Sequence, residues 1–347
     1  MNNRNINGSI SSHICTFEKL IHLDNLLLAW KEFKRGKMKK VDIAEYGFSL
    51  EANLFDLQKR LQTKTWTPDL YDSFYISDPK LRHIHKASVR DRVCNQALFR
   101  ILYPIFEPIF IHDSYSCRNN KGTHKGVQRL DTFLRQSTQN HTRPVFALKC
   151  DIRRFFDSIS HEILLNLIKK KVDDPEIIRV LELVVRSFEI EANIGLPLGN
   201  VTSQLFTNVY LNELDQFVKH KLKEKYYLRY CDDFIILNTD KSRLESIVHD
   251  IEVFLKEKLQ LSLHPSKVSI QNVNQGVDFL GYVVLPHYRV LRTSTKKRMF
   301  RNVQKLKRAH AKDTISFERL NASLNSYRGI LSHCKGHKLN QTLDEPS

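Results

Sequence analysis

Apolar residues recur every three to four positions through Phe17, Leu20, Leu26 and Leu27, and again through Leu50, Leu54, Leu57 and Leu61. That spacing predicts helices across residues 15–62. The period then changes. Between 63 and 88, Trp66, Pro68, Tyr71, Phe74, Ile76 and Pro79 bracket short strands and turns, with a hairpin closing on Lys80-Leu81-Arg82-His83-Ile84-His85. A helix follows from about Arg90 to Phe106. The apolar run Val145-Phe146-Ala147-Leu148-Lys149-Cys150 predicts a buried strand that leads straight into Asp151. Residues 161–188 return to helical spacing, and Gly195-Leu196-Pro197-Leu198-Gly199 punctuates the chain before a helix with Leu205, Phe206, Val209, Tyr210 and Leu214 on one face.

Two short apolar runs, Tyr226–Tyr230 and Phe234–Leu237, flank Cys231-Asp232-Asp233 in the pattern of a tight hairpin. Ser242 and Glu245 have the spacing of a capping box, opening a helix with Leu244, Ile247, Val248, Ile251, Leu255 and Leu259 inward. Strands recur near 262–270 and 276–291, and the remainder reads as helical. No Gly/Ser linker, repeat or low-complexity block interrupts this alternation, which makes the chain α+β.

Composition narrows the classes. At 347 residues and 41% hydrophobic content, the chain can bury a core of two or three subdomains. No apolar run approaches the roughly 18–20 residues that a bilayer span needs, and the polar start shows no secretory signal. Six scattered cysteines without a CxxC pair point to reduced thiols, and the expected location is the cytoplasm. Charge adds a partner. Fifty-five Lys and Arg against 38 Asp and Glu leave +17, an excess that draws polyanions and favours nucleic acid. Nine of those cations, and no acid, lie between Arg292 and Lys312. A solvated helix face explains such a run as well as binding does.

The candidate chemistry is acidic. Asp151 ends a strand expected to be buried, where a carboxylate needs a compensating charge. Asp232 and Asp233 sit at a hairpin tip, and alone they read as turn residues. Side by side, the two strands would gather three carboxylates, which like-charge repulsion tolerates only with cations between them. Oxygen-only ligands suit Mg²⁺ or Mn²⁺. His333-Cys334 and His337 offer ligand-type residues without a second pair at zinc spacing, so they read as a helix-end cluster.

Tyr230-Cys231-Asp232-Asp233 resembles the Y-x-D-D signature of reverse transcriptases, and Asp151-Ile152-Arg153-Arg154-Phe155-Phe156-Asp157 resembles their first palm motif. Four letters are weak, but the family's other motifs appear in order. Lys80, Arg82 and Arg90-Asp91-Arg92 resemble the fingers motifs, and Ser114-Tyr115-Ser116-Cys117-Arg118 the segment after them. Gly195 through Gln204 is similar to the loop and helix that contact nucleotide and template. Lys267 matches the palm lysine, and Phe279-Leu280-Gly281-Tyr282 the primer grip. The resemblance spans roughly residues 45–340.

It implies a right-hand polymerase fold. A helical N-terminal extension would occupy 1–44 and fingers 45–140. The palm, an antiparallel sheet with helices, would cover 141–290, with fingers-side helices at about 158–195. A basic helical thumb and tail would cover 291–347. It also implies two Mg²⁺ ions, replaceable by Mn²⁺, on Asp151 and Asp232 with Asp233 nearby and the Ile152 carbonyl helping. Lys80 and Arg82 would clamp the triphosphate of a dNTP, Arg90 would join the nucleotide site, and Lys267 would protonate the departing pyrophosphate. A solvated hairpin face and an exposed loop lysine are the plain readings of Lys80, Arg82 and Lys267. Phe156 stands five residues after Asp151, where an aromatic ring under the sugar would exclude a 2′-hydroxyl; a core role beside Phe155 is the competing reading.

Gly199, Ser203 and Gln204 depart from the Q-G and S-P pattern of group II intron and retroviral enzymes. They resemble instead diversity-generating retroelement and solitary, defence-associated bacterial reverse transcriptases; in the diversity-generating enzymes this position is linked to error-prone copying of adenine. The implied partners are an RNA template, a DNA product and a non-coding RNA, with room for an accessory protein or a second copy, and no membrane. Two rivals stand beside this reading. One is a catalytically inactive RNA-binding protein on a polymerase fold, which would have lost one of the three acids. The other is an RNA-directed RNA polymerase, which conflicts with Phe156.

Overall fold

The computed structural model describes residues 15–77 and 81–344. Four helices open the chain: α1 (Phe17–Ile21), α2 (Leu23–Phe33), α3 (Val41–Phe48) and α4 (Leu50–Gln62). The hairpin β1 (Asp72–Ile76) and β2 (Arg82–Lys86) leads into α5 (Val89–Phe106), α6 (Thr123–Ser137) and β3 (Phe146–Asp151). Next come α7 (His161–Lys169), α8 (Pro175–Arg186), α9 (Val201–Gln216), β4 (Tyr226–Tyr230) and β5 (Asp233–Asn238). Helix α10 (Lys241–Leu259) precedes four short strands, β6 (Ser269–Asn272), β7 (Val277–Phe279), β8 (Tyr282–Val284) and β9 (Arg289–Leu291). Three helices close the described chain: α11 (Thr293–Ala311), α12 (Phe317–Leu331) and α13 (His337–Asp344). None of these helices is long and apolar enough to cross a membrane.

The chain divides into two compact units. The first comprises residues up to His112, Ile152–Lys223 and Asp250–Pro265. Its core is built on α5, which buries Val93, Cys94, Ala97, Leu98, Ile101 and Leu102 against α2 on one side and α9 on the other. Ser88 caps α5 by accepting from the Asp91 amide, and Asp174 caps α8 beside Pro175, a residue pre-set for the first helical turn. Tyr210 of α9 is fully buried and donates its hydroxyl to the Leu259 carbonyl at 2.7 Å, which satisfies its one polar atom.

Asp42 ties three elements of this unit together. Lys86 Nζ of β2 and Arg92 Nη2 of α5 each lie 2.8 Å from its Oδ2. Burial pushes this carboxyl up, yet the two cationic donors overcome it and hold the group down to about 2. A depressed carboxylate contributes stability above its unfolded value and loses it as pH falls through the folded one. Asp42→Asn is therefore expected to cost about 1–2 kcal/mol at pH 7, discounted because the pairs are partly exposed, with the difference from wild type vanishing near pH 2. Urea unfolding at both pH values would check this, and equal stability at pH 7 would count against it.

The second unit comprises Asp113–Asp151, Glu224–His249 and the chain from Ser266 onward. Its main sheet has the strand order β4-β5-β3-β6, and every neighbouring pair is antiparallel. Buried Ala147, Leu228, Ile235 and Leu237 face Val127, Leu130, Phe133 and Leu134 of α6 in one hydrophobic cluster. The second sheet, β7-β8-β9, joins that cluster through Val277, Phe279, Tyr282 and Val284. Helix α11 adds Met299 and Val303, one turn apart, while Lys297, Arg301, Lys305 and Arg308 stay exposed on its other side.

Two expectations need correction. Asp240, not Ser242, caps α10: its Oδ1 accepts from the Arg243 amide at 3.2 Å, and Ser242 lies inside the helix. An Asp just ahead of the helix reaches the orphan amides first, so Glu245 is an ordinary helical residue. The strand expected over 262–270 shrinks to Ser269–Asn272, preceded by a single bridge from Leu263 to Ile152 and a turn at Pro265-Ser266. Pro265 has no N–H to give a ladder, so pairing cannot run through it.

Candidate active site

Strand alternation builds the site in the second unit. In β3, Lys149 and Asp151 share a face. Across the ladder Asp151 stands directly opposite Asp233 of β5. Tyr230 pairs with Asp233, which leaves Cys231-Asp232 as a two-residue hairpin loop. Cys231 has φ 55°, a left-handed conformation that residues other than glycine rarely take. Such strain persists only where surroundings impose it. Here Arg229 imposes it. This arginine is fully buried, donates Nη1 to the Cys231 carbonyl at 3.0 Å and donates Nη2 to Ser114 Oγ at 3.2 Å. Its backbone is pinned as well, the amide donating to the Asp113 carbonyl and the carbonyl accepting from Tyr115.

The three carboxylates are therefore gathered and partly buried. Burial, then the neighbouring charge of Asp151, pushes Asp232 up from the ordinary carboxylate range, with Lys267 opposing. Asp233 is pushed up to about 7, first by burial and further by Asp151 and Asp232, against the pull of Lys149 and Arg292. Asp233 Oδ1 is buried without a hydrogen-bond partner. Both shifts mark a site short of positive charge. Two lysines answer part of that need. Lys267 donates to Asp151 Oδ1 at 2.6 Å. Lys149 Nζ lies 3.6 Å from Asp233 Oδ2 and donates to the Asp278 carbonyl at 2.8 Å. Asp278 in turn pairs with Arg292.

Oxygen donors that repel one another and lack enough cations fit a hard divalent ion. Among the described residues no group of three or more His, Cys, Asp or Glu side chains is already disposed around a metal position. The ammonium of Lys267 stands on Asp151 where such an ion would compete for the same oxygen.

The residues expected to form a primer grip lie in the same unit. Phe279 is buried, and Leu280 (φ 51°) with Gly281 (φ 87°) forms the two-residue turn between β7 and β8. Left-handed geometry at both positions is the twist that such a hairpin needs, and Leu280 takes it without the glycine that would make it easy. The Leu280 side chain lies so close over Gly126 that a Cβ there would approach it to 3.2 Å.

The remaining expected residues belong to the first unit. Lys80 lies outside the described residues. Arg82 is exposed at the start of β2, opposite Ile76. Arg90 is committed elsewhere: its guanidinium donates to the Thr67 carbonyl at 2.7 Å, to Asp69 at 2.8 Å and to Asp91 at 3.0 Å, so it braces the hairpin base. Ile152 is buried. Phe155 goes to the core, edge-on to Tyr210, while Phe156 is only partly buried. Gly199 has φ 119°, and the following α9 buries Ser203 but exposes Gln204. The sequence reading missed Lys149, Arg229, Asp278 and Arg292. Lys149 was within reach, since a lysine two residues before Asp151 in an apolar strand must share its face.

The family model described as "Reverse transcriptase (RNA-dependent DNA polymerase)" matches residues 77–284. Protein YkfC of Escherichia coli (strain K12) is 25% identical over 244 residues, covering 59% of this chain and 64% of that protein. The group II intron-encoded protein LtrA of Lactococcus lactis subsp. cremoris is 25% identical over 323 residues, covering 73% of this chain and 52% of that protein. The chain thus spans between about half and two thirds of these relatives' length. Among solved structures, telomerase from Candida albicans in complex with a fragment of telomeric RNA matches with a TM-score of 0.49 and 14% identity, over 81% of this chain and 56% of that one.

Proposed function

Since the chain belongs to the reverse transcriptase family, we propose that it is an RNA-directed DNA polymerase that extends a primer with dNTPs. The observation that carries this reading is the facing pair Asp151 and Asp233, with Asp232 in the strained turn beside them, and Asp232 and Asp233 both pushed up by burial and like charge. Bound Mg²⁺, held by Asp151 and Asp232 with Asp233 and the Ile152 carbonyl, and with Mn²⁺ as a substitute, would supply Lewis acidity toward the primer 3′-hydroxyl and the triphosphate. Lys267, now on Asp151, is free to turn to the leaving group and give it a proton. Lys149, 3.6 Å from Asp233 Oδ2, favours the charged form of that carboxyl against its burial. Arg82 provides a guanidinium for phosphate. Leu280 and Gly281 offer a rigid hairpin tip on which a primer end can rest.

We assign the choice of sugar to Phe156. Phe155 takes the core position, so Phe156 is not needed there. Wild type should extend a primer on an RNA template with dNTPs and not with NTPs. Phe156→Ala should lower that discrimination by about 10- to 100-fold, the range of a steric pocket difference. Parallel extension assays with the two nucleotide sets check it. Extension by wild type with NTPs would move the protein to RNA polymerases, and absence of extension with either would favour the RNA-binding reading. The Ser203-Gln204 pair supports a place among diversity-generating or defence-associated bacterial enzymes, with a non-coding RNA as template and partner.

A further inference from the structure

Two adjoining cavities of about 600 and 570 Å³ open in the second unit and share Arg135 and Asn140 of the segment that ends α6. They are not at the carboxylates. Asn140 and His141 precede the first residue of β3, whereas Asp151 is its last, about 16 Å further along an extended strand. The other wall is the turn between β8 and β9, residues 286–288, with Arg289 at the start of β9, at the opposite end of β8 from Leu280 and Gly281. The segment joining α12 to α13 closes it.

The lining is cationic and aromatic. Arg135, Arg289 and Lys335 bring three fixed positive charges, and Asp131, 3.6 Å from Arg135, brings the single acid. No carboxylate pairs with Arg289 or Lys335 among the described residues. His141 and His287 stand ring to ring at 4.9 Å, adding donors that need no fixed charge. Tyr288 is nearly half exposed (46%), with the Lys335 ammonium 5.2 Å from its ring centre. Along the second cavity the lining turns to amides, Gln136, Gln139 and Asn140. Spaced cations, an exposed aromatic ring and uncharged hydrogen-bonding groups are what an unpaired polynucleotide strand requires: phosphate neutralisation, base stacking and sugar or base contacts. A pocket for a small metabolite would be more enclosed and more apolar.

We propose that this groove binds the phosphodiester backbone of single-stranded nucleic acid, as a second site apart from the carboxylates. It gives the chain a hold on RNA that does not pass through the place of nucleotide addition. A long template can stay attached there while its copied end moves.

Binding tests this independently of polymerisation, so a protein that fails to extend primers still answers the question. Fluorescein-labelled oligo(U) and oligo(dT) of about 20 nucleotides would be titrated against the full chain between roughly 50 and 200 mM salt. The double variant Arg135→Glu/Arg289→Glu should bind about tenfold or more weakly at low salt, with a salt slope reduced by about 2. Tyr288→Ala should weaken binding by about five- to tenfold, with the slope unchanged, because stacking releases no counterions. Extension of a short pre-annealed duplex should be the same in all three proteins, which also reports that the variants fold. Equal losses for oligo(U) and oligo(dT) support phosphate recognition, and a loss for oligo(U) alone supports it with added 2′-hydroxyl contacts. Unchanged affinity in both variants would overturn the proposal. So would displacement of oligo(U) by millimolar inorganic phosphate or by polyglutamate of equal charge, since either shows a site for any anion.

Discussion

Asp232→Asn is expected to lower primer extension by on the order of 10³-fold, since Asp232 would be one of the carboxylates that hold the metal. Asp233→Asn is expected to lose activity too, and to be more stable than wild type at neutral pH. The second part follows from the direction of the shift. Asp233 is pushed from 3.8 to about 7 in the folded chain. Between those values the folded protein holds a proton that the unfolded chain releases, so stability falls as pH rises through the window. Above pH 7 the penalty is fully developed. Removing the charge while keeping the shape should return about 1–3 kcal/mol at pH 8 and very little at pH 4. Guanidinium unfolding of both proteins in EDTA at the two pH values measures this. Added Mg²⁺ should stabilise wild type and leave Asp232→Asn and Asp233→Asn nearly unmoved, because a ligand stabilises only what binds it. If Asp233→Asn proves less stable than wild type at pH 8, the site is not short of positive charge and the metal assignment loses its physical basis.

Arg229→Ala should be among the most destabilising single changes in the chain, costing about 3–5 kcal/mol. The side chain is fully buried beneath the carboxylate turn. Truncating it strands the Cys231 carbonyl and Ser114 hydroxyl without their donor and empties the space of a large side chain. Because Arg229 holds the strained Cys231 conformation, the damage should reach activity before the protein unfolds: kcat should fall at temperatures where the variant is still folded, with KM for dNTP little changed. Arg229→Lys keeps the charge but cannot span both acceptors, so it should recover part of the stability and little of the geometry. Denaturation midpoints with steady-state kinetics on the same samples separate the two effects. A stable Arg229→Ala with normal kcat would show that the turn holds itself.

Much of the secondary structure was legible because period and punctuation agree. Helices α2, α4, α5 and α9 carry apolar faces at helical spacing, and the β4–β5 hairpin is bracketed by apolar runs around an acidic tip. The start of α10 is ambiguous in sequence because two capping signals, Asp240 and Ser242, lie two residues apart, and only the backbone geometry chooses between them. The strand before Ser269 failed at Pro265, where composition favours a strand and hydrogen bonding forbids one.

At the candidate site the division is sharper. Sequence alone determined that Asp151, Asp232 and Asp233 end or join strands, that the chain is strongly basic, and that the order of motifs belongs to one family. Those are properties of residue type and local spacing. Tertiary structure decided which charges answer which. It set Asp151 opposite Asp233 through the β3–β5 register, placed Lys267 on Asp151 across more than a hundred residues, and buried Arg229 under the turn. It also tied up Arg90 at the hairpin base and gathered Arg135, Arg289 and Lys335 around one groove. Desolvation and Coulomb energy depend on distance and burial, which no period in a sequence encodes. The chemistry was written locally, and its electrostatics only in three dimensions.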